Sequence, residues 1–108
     1  MNKKEVARIL EEIGIILDLK GENLFKVRAY YNGARIVETL DRDLADVVNT
    51  GEISEIKGIG KALADKISTL VKDESLLFYE ELKLSIPEGL LQMLKIPGLG
   101  AKKVKIYN

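Results

Sequence analysis

The chain has 108 residues, 46% of them hydrophobic and 31% charged, carries no net charge, and contains neither cysteine nor histidine. That is folded globular material with enough length for one small core, and it excludes disulfides, thiol nucleophiles, histidine-based triads and zinc sites of the usual kinds. No run approaches the roughly 20 apolar residues of a membrane span and no signal-peptide core opens the chain, so a cytoplasmic protein with no membrane partner is expected.

The apolar spacing is helical throughout. Asn2, with Glu5 three residues on, reads as a capping pair for a first helix. Val6, Ile9, Leu10, Ile13 and Leu17 then follow a 3.6-residue period, and Gly21 stops it. Asn23 caps a second helix with Val27, Tyr30, Tyr31, Ala34, Val37 and Leu40 on one face. Asp41 or Asp43 opens a short third helix through Val47, closed by Gly51. Residues 53–57 lead into a glycine hairpin, and a longer helix runs from about Lys61 to Lys72. Another runs from Ser75 to about Leu84 and ends before Pro87, which disfavours helix at the residue preceding it. Residues 88–95 form a short helix into a second hairpin, and a last helix begins near Ala101. Alternating apolar residues never persist, so the expected fold is all-α. Phe78 and Tyr79 fall at core spacing. The adjacent acids Glu11 and Glu12, and Glu80 and Glu81, splay around their helices and are expected on solvated faces.

The hairpins carry the functional signal. Ile56-Lys57-Gly58-Ile59-Gly60 and Ile96-Pro97-Gly98-Leu99-Gly100 share the pattern apolar-x-Gly-apolar-Gly and each runs into a lysine-bearing segment. Glycines permit a tight turn and a close approach to backbone N–H groups. A helix opening there offers unpaired N–H groups and a partial positive charge to an anion. Charge is distributed accordingly: residues 25–35, 53–72 and 92–108 sum to +3, +2 and +4, while 36–52 and 73–91 each sum to −4. Basic blocks on one face would form a positive stripe suited to nucleic-acid phosphate. The candidate contacts are Gly58, Gly60 and Lys61 at the first hairpin, and Gly98, Gly100, Lys102, Lys103 and Lys105 at the second. Only eight residues follow Gly100, a helix so short that a fragment of a longer protein is expected.

The ordered set Gly21-Glu22-Asn23-Leu24-Phe25-Lys26-Val27-Arg28-Ala29-Tyr30, the first hairpin with Lys61, Ile86-Pro87-Glu88-Gly89-Leu90-Leu91, and the second hairpin through Val104 resembles the N-terminal region of family X DNA polymerases, most closely the bacterial and archaeal members. The resemblance covers essentially the whole chain. It implies a small helical domain with two helix-hairpin-helix motifs, like the N-terminal domain of DNA polymerase beta: residues 1–84 with the first motif at about 53–72, then residues 85–108 with the second motif at the start of the next subdomain. It also implies a partner: gapped or nicked DNA held by its backbone, with the 5′-phosphate end at the first hairpin and the primer-side duplex at the second, bound by a monomer engaged in DNA repair synthesis.

The same resemblance implies Na+ or K+ held by backbone carbonyls of Ser54, Ile56 and Ile59 in the first motif and of Leu94, Ile96 and Leu99 in the second. Mg2+ belongs to the polymerase palm, which this segment lacks. It further places Lys66 where the family's deoxyribose-phosphate lyases carry their Schiff-base nucleophile, with Lys26 and Tyr30 as supporting residues. By the same resemblance, Phe25, Ser54, Ala62 and Phe78 replace other basic pocket positions of the polymerase beta type. Three readings therefore stand side by side: a DNA-backbone grip, a lyase acting through Lys66, and a protein-interaction module. On the residues alone, Lys66 reads as a solvated lysine on an exposed helix.

Overall fold

The computed structural model describes residues 1–95, and six α-helices account for most of them: α1 (Lys3–Leu19), α2 (Leu24–Glu38), α3 (Leu44–Asn49), α4 (Lys61–Asp73), α5 (Leu77–Leu84) and α6 (Leu90–Leu94). A 3-10 turn, Glu52–Glu55, lies between α3 and α4, and no strand occurs among the described residues. The second hairpin and the helix expected from Ala101 lie outside the described residues.

Helix starts follow short polar side chains. The Asn2 side chain accepts from the Glu5 N–H at 2.9 Å, Asn23 from Phe25 at 2.7 Å, and Asp43 rather than Asp41 from Ala45 at 3.1 Å. Each satisfies an amide that the helix itself leaves unpaired. α1 ends in a Schellman turn: Gly21 takes φ 77°, its N–H donates to the Asp18 carbonyl, and the Glu22 N–H donates to Leu17 at 2.9 Å. The chain therefore reverses at once, and α2 returns along α1. Gly14 makes room for that return, since a Cβ there would lie 2.8 Å from the Tyr31 ring.

α1 is the central element, packed against α2, α4, α5 and α6. Val6, Leu10, Ile13 and Ile16 are wholly buried along it, each such side chain stabilising the fold by about 1.5–3 kcal/mol. Val37 of α2 and Ile67 and Leu70 of α4 close over them. Gly33 brings α2 close to α4, because a Cβ there would meet the Leu63 side chain at 2.5 Å.

Two details depart from the sequence expectations. α5 starts at Leu77, not Ser75: Leu76 is extended (φ −145°, ψ 112°) and buried, so the core contact of this side chain decides the boundary instead of a serine cap. Glu12, expected on a solvated face, is 3% exposed. Its carboxylate accepts from Arg8 Nη1 at 2.8 Å, the Tyr79 hydroxyl at 2.8 Å and Lys95 Nζ at 3.1 Å, so one charge joins α1, α5 and the end of α6. Burial of a carboxylate is tolerable only with such donors around it.

Candidate functional site

The first hairpin is built on two buried isoleucines. Ile53, in the 3-10 turn, and Ile59 are 3% and 4% exposed, and between them the Ile59 N–H donates to the Ile56 carbonyl at 3.0 Å. The two glycines do different work. Gly58 has φ 95°, a conformation side chains resist, and a Cβ there would lie 2.6 Å from Ile36 Cδ1. Gly60 is extended (φ −79°, ψ 171°) with nothing within 4 Å of a would-be Cβ. The tight turn needs Gly58 alone, which corrects the expectation that both glycines serve it. Gly60 instead keeps the start of α4 open.

No side chain caps α4. Its first helical bond runs from the Ala64 N–H to the Gly60 carbonyl at 2.8 Å. The amides of Lys61, Ala62 and Leu63 therefore point along the axis with no acceptor among the described residues, the arrangement that favours an anion. Lys57 and Lys61 are exposed beside them. Ser54 and Ile56 lie just before the turn and Ile59 within it; the Ser54 hydroxyl donates to the Gly51 carbonyl at 3.1 Å, and the Ile56 carbonyl keeps one lone pair beyond its bond to Ile59. Among the described residues no cluster of carboxylates suits a metal ion.

Lys26, Tyr30 and Lys66 meet in one cleft of about 410 Å³ between α2, α4 and α5. Lys26 and Tyr30 are one turn apart on α2, so they share a face. Lys66 arrives from α4 and sits with its Nζ 5.0 Å from the centroid of the Phe78 ring. That ring lies nearly parallel to Tyr30, with centroids 6.4 Å apart and 17° between planes. Burial raises the Tyr30 pKa above 10, so its hydroxyl stays a donor at neutral pH. Leu17 and Leu63 supply a buried apolar floor, Ala29 and Ala62 an exposed rim, and Glu22 contributes a carboxylate from the α1–α2 turn.

Two of the residues that interrupt the basic pattern, Ala62 and Phe78, thus line the cleft itself, whereas Phe25 stands 81% exposed on α2 and Ser54 lies in the 3-10 turn. Sequence spacing put Phe78 in the core; it is only half-buried and faces Lys66. Glu22 carried no sequence signal beyond its place after Gly21.

Among the described residues, the cationic side chains around the hairpin and cleft have no carboxylate partners, as Lys4, Lys20 and Lys72 have none elsewhere on the molecule. Arg8, Arg42, Lys83 and Lys95 all bond carboxylates. Among the described residues, Lys26, Arg28, Lys57, Lys61 and Lys66 have no carboxylate within 4.0 Å, so their charge is available to an outside anion. Lys95, counted with the third basic block, is held by Glu12. Of the second motif's candidate contacts, only Leu94 is described, buried at the end of α6; Ile96, Gly98, Leu99, Gly100, Lys102, Lys103 and Lys105 lie outside the described residues.

A small α-helical domain in which a glycine turn feeds an uncapped, lysine-flanked helix has the form of a helix-hairpin-helix domain. Residues 1–76 match the family model of that name, and the chain belongs to the helix-hairpin-helix domain family. It is also similar to the N-terminal region of the DNA polymerase/3′-5′ exonuclease PolX of Bacillus subtilis, a family X polymerase: 38% of residues are identical over 109 positions. That alignment takes in all of this chain and 19% of the relative's length. No helix among the described residues is long and apolar enough to cross a membrane.

Proposed function

We propose that this domain binds the sugar–phosphate backbone of gapped or nicked DNA without reading its sequence, as a monomeric part of a cytoplasmic family X polymerase engaged in repair synthesis. The observation that carries this reading is the open N-terminus of α4 at Gly60, flanked by lysines that no carboxylate neutralises. Three backbone donors stand open there between the exposed Lys57 and the exposed Lys61 at the helix start, and such contacts would position DNA without specifying bases. The 5′-phosphate at the downstream edge of a gap suits the first hairpin, with Lys26 and Lys66 close by. The second hairpin, through Gly98, Gly100 and its lysines, would hold the primer-side duplex. Carbonyls of Ser54, Ile56 and Ile59 would suit a hard monovalent cation bridging hairpin and phosphate.

The test is a titration of gapped duplex carrying a 5′-phosphate. Gly60→Leu places a side chain in space that is empty in the structure, so the domain stays folded while the phosphate is excluded. Affinity should fall about tenfold or more, the loss of one or two charge-assisted bonds, and wild-type binding should weaken steeply with salt. Unchanged binding by a folded Gly60→Leu variant refutes the reading.

One observation favours a second activity at the same place: the cleft gathers Lys66, Lys26 and Tyr30. A neutral Lys66 amine adding to the aldehyde of an abasic 5′ end, with loss of water, gives an imine. Removal of a proton from the adjacent sugar carbon then breaks the bond to the 3′ oxygen and releases the strand with a new 5′-phosphate. Borohydride reduces the imine and would trap protein on DNA; Lys66→Ala should abolish the adduct, and trapping that survives excludes Lys66 as nucleophile.

A further inference from the structure

A bare sugar phosphate would engage only part of the cleft, its two ammonium groups. Such a ligand is polar all round and calls for a wall of cations. Here two ammonium groups, Lys26 and Lys66, share the space with the rings of Tyr30 and Phe78, an aliphatic floor that includes Leu63, and the Glu22 carboxylate. A carboxylate accepts hydrogen bonds and repels phosphate. Exposed at the cleft's rim, Glu22 can accept from a ligand that carries N–H donors as well as an anion. The aromatic and aliphatic surface calls for a flat apolar part. The volume, about 410 Å³, falls within the roughly 300–1,000 Å³ of small-ligand sites.

An anion, a flat ring and N–H donors in one small ligand describe a nucleotide. We infer that the cleft between α2, α4 and α5 takes an intact, unpaired 5′-terminal nucleotide, its phosphate on Lys26 and Lys66, its base against Phe78 and the apolar floor, and its exocyclic or ring N–H groups toward Glu22. This rests on the proposal that the first hairpin receives a 5′-phosphate end, and it names the end in question: a one-nucleotide 5′ flap beside a gap. An unpaired base enters without the cost of breaking a terminal pair. The domain then distinguishes a strand end bearing a displaced base from an abasic one, and it holds the former more tightly.

The experiment compares three gapped duplexes by fluorescence anisotropy with the 108-residue chain. One ends in a 5′-phosphorylated one-nucleotide flap, one replaces that nucleotide with a 5′-phosphorylated tetrahydrofuran abasic analogue, and one carries the flap with a 5′-hydroxyl. The flap should bind about five- to a hundredfold more tightly than the abasic analogue, the range found for stacking one base on an aromatic side chain. Phe78→Leu, which keeps an apolar side chain but removes the ring, should erase most of that difference while preserving the preference for phosphate over hydroxyl. Phe78→Tyr, which retains the ring, should keep both. Equal binding of flap and abasic ends, with phosphate still preferred, overturns this inference and leaves the backbone grip standing. No preference for the 5′-phosphate overturns both.

Discussion

Replacing Glu12 with glutamine keeps the side chain's shape and removes its charge, which isolates the worth of the buried carboxylate. Three donors depend on it: Arg8 and Tyr79 at 2.8 Å and Lys95 at 3.1 Å. Bonds to a charged partner contribute about 1.5–3 kcal/mol each when buried, and removing one member of a fully buried ion pair costs about 3–5 kcal/mol. Here the cationic side chains are not fully buried: Arg8 is 52% and Lys95 34% exposed, so both can turn to water once the charge is gone. Only Tyr79 stays inside, and the amide oxygen of glutamine can still accept from it. The exposed halves of the network therefore contribute near the 0–1 kcal/mol of surface pairs, and Glu12→Gln should cost about 1.5–3 kcal/mol. For a domain of this size that lowers the melting temperature by about 6–20 °C. Urea unfolding followed by circular dichroism measures it, with Arg8→Ala as the comparison, expected to cost under about 1 kcal/mol. A Glu12→Gln loss as small as that of Arg8→Ala would show that the carboxylate contributes no more than a surface charge, and the account of its burial would be wrong.

Gly58→Ala should destabilise the domain, since it forces a side chain into the left-handed region at about 1–2 kcal/mol and against Ile36 at 2.6 Å; chemical denaturation of Gly58→Ala and Gly60→Ala side by side should show a clear loss in the first and almost none in the second. Stability should also fall in alkali. Burial pushes the Tyr79 and Tyr31 phenols up to about 12, aided by Glu12 at Tyr79 and by Asp18 and Glu11 at Tyr31. The unfolded chain ionises these groups near 10, so their contribution is complete below pH 10 and is lost as pH rises from about 10 to about 12. Thermal melts across that window check this, and a flat profile refutes it.

Local signals carried much of the fold. Asn2, Asn23 and Asp43 cap the first three helices because capping needs only residues within one turn of each other. The start of α5 was illegible for the opposite reason: Leu76 is drawn into the core by helices distant in sequence. Glu12 shows the same limit. Ile9, Ile13 and Ile16 already mark the stripe on which it lies, yet two of its partners, Tyr79 and Lys95, stand 67 and 83 residues away. The gathering of Lys26, Tyr30 and Lys66 was suggested by family likeness and by no spacing within one helix, since it depends on how α2 and α4 cross. Phe78 in that cleft was likewise legible only through family likeness, because periodicity cannot separate a core aromatic from one at the edge of a groove.

Glu12 also bears on where the chain can be cut. The family match ends at residue 76, but a polypeptide stopped there would lose Tyr79 and Lys95 and keep a carboxylate in the middle of α1 with Arg8 as its sole remaining donor. The packed core therefore runs past the family match, since Tyr79, Leu82, Ile86 and Leu94 are buried in it, and a truncation that respects the motif boundary alone would remove them with two of the three donors to Glu12.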